Sequence, residues 1–341
     1  MKAVKLKNNV FYDIRPLLER YEKATFFIVI SSRGPGKTYS TLKYVTEENK
    51  FLAYFRRRED ELDRCASERF NPFKDINKDL GTDIHFKRTK SDAFIYRDKI
   101  DNMVGVGAAL STFENARGIS LPECDVIFYD EFIRKPSQLR IKGEADIFFN
   151  MYESINRNRE FFGKHAVKCI MASNAVNIDS EILSEWGLVY DIERMKATGQ
   201  ELKYYPERGI VVNLPICAEF RAEKEKTALY RATQGTKYYE HALDNEFTYN
   251  DFYGIKRIKA ISEYSCLCAI EDIYIYRHKS RREFYACNIR SDTVHFEKRS
   301  QIQFMRRYGI MLREEYFSGN LYFSDYHTKN RLTEFLKCDI T

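Results

Sequence analysis

Apolar residues in roughly the first 200 positions gather into short runs, separated by segments in which they recur every three to four places. The runs are FFIVIS (26–31), FLAYFRR (51–57), IHFKRTKSDAFIY (84–96), NMVGVGAAL (102–110), CDVIFYD (124–130) and AVKCIMAS (166–173). The third contains a polar turn and reads as a hairpin, whereas the others are continuous enough to be strands buried on both faces. Helical periods run from about Lys37 to Glu48 and from about Ala145 to Arg159. Strands alternating with helices predict an α/β fold around a largely parallel, covered sheet.

After about Glu207 the pattern changes. GIVVNLP is followed by the charged, helix-compatible stretch AEFRAEKEKTALYRATQG, and beyond residue 250 the chain is tyrosine-rich and β-rich until a helical TKNRLTEFLK near its end. This predicts an α/β domain over 1–207, a small linker over 208–250 and an α+β domain over 251–341.

The chemistry sits where apolar runs end. FFIVIS leads into SSRGPGKTYS, which fits Gly-x4-Gly-Lys-Ser/Thr except that Ser31 stands in place of the first glycine. A strand, a turn and a helix N-terminus are the context in which backbone N–H groups cradle phosphate. Ser32, Arg33, Gly34, Pro35 and Gly36 would form the cradle, Lys37 would reach the β and γ phosphates, and Thr38 would ligate Mg²⁺. An incidental Gly-Lys-Thr turn is the bland alternative. CDVIFYD then places Asp130 and Glu131 at a strand end, where an aspartate can hold Mg²⁺ and a glutamate can polarise water. Buried carboxylates without partners are costly, so this pair reads as a site or as an exposed strand end. AVKCIMAS closes on Asn174, a sensor of the γ-phosphate or a turn cap. Arg157 and Arg159, near the end of the second helical period, either complement the helix C-terminus or act as arginine fingers toward a neighbouring copy.

Composition alters this little. The chain has 341 residues, 44% hydrophobic and 31% charged, with a net charge of +6 that permits a nucleic-acid partner without requiring one. Its longest apolar runs fall far short of the ~20 residues of a membrane span. The opening MKAVKLKNNVFYDIRPLLERYEK lacks the apolar core of a secretory leader, which predicts a cytoplasmic protein. The eight cysteines show no second pair or histidine pair to complete a zinc site, and are expected as reduced thiols.

Taken in order, SSRGPGKTYS, VIFYDEFIR, INRNRE and MASNAV resemble the DNA-packaging ATPases of phi29-like bacteriophages. The resemblance implies an ASCE-type P-loop ATPase domain, a linker and an RNase H-like C-terminal domain that has lost its chemistry. It implies ATP and Mg²⁺ as cofactors, and a ring, commonly a pentamer, with double-stranded DNA at its centre. It also implies docking on a viral procapsid in the host cytoplasm, with the portal and a packaging RNA as partners. Under it Asp130 binds Mg²⁺, Glu131 is the catalytic glutamate, Arg157 the trans-acting finger, and Arg117 a further basic residue facing the neighbouring site. Glu271, Asp272, Glu283 and Asp292 have no nuclease motif, so the C-terminal domain is expected to be noncatalytic. The basic hairpin residues Lys87, Arg88, Lys90, Arg97 and Lys99 could face a pore or only solvent. A nucleoside or small-molecule kinase and a nucleotide-sensing DNA-binding scaffold are the competing functions.

Overall fold

The computed structural model describes residues 10–89, 93–116, 121, 123–135, 138–174, 178–236, 239, 253–258 and 260–337. Arg117, Lys90 and most of 237–252 lie outside the described residues. The chain divides into two compact units, 1–177 with 194–248 and 178–193 with 249–341.

The first unit is built on a 9-stranded sheet. Its strands are β1 (Phe26–Ser31), β2 (Leu52–Arg56), β3 (Ile84–Arg88), β4 (Ala93–Arg97), β5 (Lys99–Ala109), β6 (Val126–Asp130), β7 (Lys168–Asn174), β8 (Leu202–Tyr205) and β9 (Ile210–Asn213). They lie in the order β3-β4-β5-β2-β6-β7-β1-β9-β8. From β5 through β9 neighbouring strands run parallel, and the edges are antiparallel hairpins. Every residue of β6 is buried, as an unbroken apolar strand between helices requires. The expected hairpin, the strands and the helix α2 (Lys37–Glu47) are all present. Helices α1 (Arg15–Arg20), α3 (Glu59–Cys65), α4 (Lys74–Leu80) and α5 (Glu144–Asn156) complete the layers before β7.

Two expectations need correction. The boundary at 207 does not divide the fold: GIVVN forms β9, beside β1 in the main sheet, and the stretch assigned to a linker belongs to the first unit as α8 (Ala218–Glu225) and α9 (Ala228–Ala232). A short apolar strand looks the same in sequence whichever sheet recruits it. Conversely, residues 178–193, which include α6 (Glu181–Glu185), pack with the C-terminal unit. The buried Asp179 carboxylate, 2.7 Å from His327 Nδ1 and 2.8 Å from Asn330 Nδ2, ties them there. Helix α7 (Val189–Thr198) spans the division.

In the second unit β10 (Tyr264–Ile270), β11 (Ile273–His278) and β12 (Phe284–Cys287) are antiparallel, β13 (His295–Phe296) runs parallel to β10 and β14 (Leu321–Phe323) parallel to β12. Ile270, Ile275, Phe304, Leu312, Phe323 and Leu332 fill its core. Glu271 and Asp272 occupy the β10–β11 turn, whereas Glu283 sits at the other end of that hairpin, against Tyr264 and 2.9 Å from Lys256. These carboxylates do not converge.

One buried ion pair anchors the first unit beside its site. The Arg57 guanidinium has no exposure and grips both carboxylate oxygens of Glu144, at 2.7 and 2.8 Å, with the Tyr129 hydroxyl 3.2 Å from the same carboxylate. Glu144 opens α5, so the pair fixes that helix to the end of β2. Removing one partner leaves an uncompensated buried charge. Glu144→Leu should therefore cost about 3–5 kcal/mol in chemical denaturation, and the double change Arg57→Met with Glu144→Leu should recover most of it.

Candidate active site

The parallel strands β6, β7 and β1 end together, and their ends carry the chemistry. β1 delivers the chain to a turn in which Gly34 and Gly36 have φ of 97° and 100°, a region that side chains disfavour, and α2 starts at Lys37 immediately afterwards. Ser31 belongs to β1 and is fully buried. It does not take glycine's backbone role; its hydroxyl accepts from Lys37 Nζ at 2.9 Å. The same ammonium reaches Ser32 O at 2.9 Å and Asn174 Oδ1, at the tip of β7, at 3.3 Å.

Burial is the largest influence on Lys37 and pushes its ammonium down to about 8, against a smaller opposing pull from Asp130 and Glu131. Between pH 8 and its ordinary value of 10.5 the unfolded chain holds a proton that the folded chain has lost. Stability therefore rises with pH across that window, and below it the contribution is flat and least favourable. Phosphate binding needs the charged form. Affinity for MgATP should fall by up to about tenfold per pH unit above pH 8, with proton uptake on binding; calorimetry in buffers of different ionisation enthalpy measures both.

Thr38 Oγ1 lies 3.1 and 3.2 Å from the two oxygens of Asp130, so a hydroxyl and a carboxylate suited to Mg²⁺ converge beside the loop. Asp130 is also reached by the Tyr54 hydroxyl and Arg56 Nη1, each at 3.1 Å. Burial pushes the Asp130 carboxyl up and Arg56 opposes it. Glu131 has a left-handed backbone, φ 53°, which turns the chain out of the sheet. Its carboxylate meets Arg56 Nη2 at 3.0 Å and Lys135 Nζ at 2.9 Å. Burial works to raise its pKa, but these two cations outweigh it and hold Glu131 below the usual range.

The loop is gripped from both flanks. Tyr12 N donates to Pro35 O at 2.9 Å and Phe11 packs against Gly36. On the other side Phe220 of α8 closes on Gly34, and Lys224 Nζ donates to the Arg33 carbonyl. The Phe11 and Phe220 rings meet at 5.8 Å.

Ser32 through Thr38, Asp130, Glu131 and Asn174 are thus brought together as the sequence predicts. Arg157 and Arg159 are not. α5 runs away from the site, and Arg157 caps its far end at the start of β7, so a strand of about 20 Å separates it from its own loop. The expected helix stops at Asn156 because Arg157 and Asn158 both adopt left-handed backbones, φ 46° and 55°, an arrangement that costs about 1–3 kcal/mol per residue. Arg56 and the α8 contacts were missed. For Arg56 the available signal was the charged run Arg56-Arg57-Arg58-Glu59 directly after an apolar strand.

A model of the podovirus DNA encapsidation protein (Gp16) matches residues 6–271. The chain belongs to that family. This encapsidation-family chain is 28% identical over 249 residues to the DNA packaging proteins of Bacillus phages PZA and phi29, covering 71% of it and 67% of each relative. A solved structure described as the bacteriophage Phi-29 viral genome packaging motor assembly superposes with a TM-score of 0.63 at 22% identity, covering 96% of this chain and 99% of that one. Another, the Phi-28 gp11 DNA packaging motor, gives 0.61 at 16% identity over 98% of this chain and 100% of that one. At these identities the superpositions establish the fold, a mixed α/β sheet of the packaging-motor kind.

Proposed function

We propose that this encapsidation-family protein hydrolyses ATP to drive double-stranded phage DNA into a procapsid, with its nucleotide sites completed across subunit boundaries of a ring, commonly a pentamer. The observation that carries the reading is the convergence of Lys37, Thr38, Asp130, Glu131 and Asn174 at the ends of three adjacent parallel strands. Residues 32–38 hold the triphosphate through backbone N–H groups and the Lys37 ammonium, and Asn174 lies against that ammonium. Thr38 and Asp130 would hold Mg²⁺, which when bound neutralises phosphate charge and polarises the transferred group. Glu131 orients and deprotonates the attacking water. Paired to Arg56 and Lys135 it is a weak base, so turnover requires it to exchange a cation for the water.

Arg157 serves as the finger for another copy, since its own loop lies at the opposite end of β7. Arg159, in the following turn, and Arg117 are further candidates at that boundary. Four strands of the C-terminal unit, β12-β11-β10-β13, follow an RNase H-like order while β14 joins the opposite edge beside β12, and the separated carboxylates support a noncatalytic unit. That unit carries a cleft of about 660 Å³ in which Lys256, Arg257, Lys279 and Arg281 outnumber Glu263 and Glu283, a balance that favours the phosphates of DNA or of a packaging RNA. The portal is the remaining partner, and the work is done at the procapsid in the host cytoplasm. Among the described residues no helix is long and apolar enough to cross a membrane.

Phosphate release from ATP should rise when duplex DNA is added, and no acceptor hydroxyl should be required. Mixing Arg157→Ala subunits with Glu131→Gln subunits should restore part of the hydrolysis that each lacks alone. No recovery in demonstrably mixed assemblies would remove Arg157 from its trans role.

A further inference from the structure

We infer that Phe161 and Phe162 are the apolar anchor by which one copy of this chain docks on the nucleotide-bearing end of the next. They are the most exposed large apolar side chains among the described residues, at 82% and 78%. Two adjacent phenylalanines in solvent make an apolar patch that calls for an occupant. The turn presenting them is firmly built: Phe161 N donates to Asn158 O at 2.9 Å and Lys164 N to Arg159 O at 3.1 Å. The Asn156 side chain braces it, donating to Glu160 Oε2 at 2.8 Å and accepting from Val167 N at 2.9 Å.

The occupant follows from position, and here the inference rests on the reading that Arg157 acts on a neighbour's nucleotide. Four and five residues of chain, at most ~14–18 Å fully extended, separate the pair from Arg157. A specific interface covers about 800 Å² per partner, a patch roughly 30 Å across. A contact centred on Arg157 therefore has the reach to take in Phe161 and Phe162 as well. The P-loop end offers a matching surface in Phe11, 48% exposed, and Ile216, 55% exposed. Because the two faces differ, the contact is head-to-tail, the kind from which rings are built when the rotation between copies closes. Buried aromatic side chains at the centre of such a contact carry a large share of its affinity.

The test is self-association of the full chain by sedimentation or mass photometry, with a nonhydrolysable ATP analogue and duplex DNA. Phe161→Ser with Phe162→Ser should raise the association midpoint at least about tenfold, with analogue binding per subunit and thermal midpoint unchanged. Ile216→Ser should shift the midpoint in the same direction, and Phe161→Trp with Phe162→Trp should keep wild-type association. Wild-type association of the double serine variant overturns the inference, as does a wild-type chain that stays monomeric throughout. A serine variant that associates normally but loses DNA binding assigns the pair to nucleic acid and overturns it too. If mixing shows Arg157 acting in trans while the serine variant assembles normally, the anchor fails and the finger stands. If the serine variant cannot assemble and Arg157 proves not to act in trans, the finger fails and the anchor stands.

Discussion

Lys37→Ala should abolish measurable nucleotide binding. The ammonium makes charge-assisted bonds that water-exposed arginines cannot replace, and each such bond is worth about 1.5–3 kcal/mol. Loss of contacts to two phosphates therefore weakens binding by at least about a hundredfold. The same substitution should leave the melting temperature close to that of the wild type. In the empty site burial pushes Lys37 down to about 8, so at neutral pH the fold spends free energy keeping it charged, and deleting it offsets the packing lost. Fluorescent-nucleotide titration together with thermal denaturation separates the two effects. A variant that binds ATP as well as the wild type would show that the loop is an ordinary strand-to-helix turn.

Glu131→Gln should do the reverse, binding MgATP but losing turnover by about 10²–10⁴-fold. Glutamine keeps the shape and a hydrogen bond to water while giving up the proton acceptor. It also gives up the ion pairs with Arg56 and Lys135. Those pairs restrain the carboxylate before nucleotide arrives, so affinity for MgATP in the variant should equal or slightly exceed that of the wild type. Equal steady-state phosphate release by the two proteins would take the catalytic role away from Glu131.

The sequence disclosed the parts of this site that are local and concealed those that are tertiary. Lys37, Thr38, Asp130 and Asn174 each end or follow an apolar run, so the pattern that predicts a strand also points at its tip. Arg56 ends an apolar run as well, but three consecutive basic residues and a glutamate read as a solvated strand end. Only the fold shows that β2 lies beside β6 and aims Arg56 at Asp130. Ser31 looked like a defect in a motif until its hydroxyl was seen to hold Lys37. The clasp of α8 on the loop joins residues some 190 positions apart, Lys224 and Arg33, which no periodicity could pair. The turn after Asn156 was hidden for another reason: Arg157 and Asn158 continue a helical pattern in sequence, yet both take left-handed backbones just after Asn156, whose side chain accepts from Val167 N ahead of β7.

Helix α5 begins at the Glu144 carboxylate clamped by Arg57 and ends, about 20 Å away, at Arg157, the proposed finger for another copy. In the proposed head-to-tail ring each copy would meet its two neighbours through different faces, and only one of those faces would carry the C-terminal end of α5. Under that proposal, a shift of the β2 end on nucleotide binding would be carried along α5 toward the copy that receives Arg157.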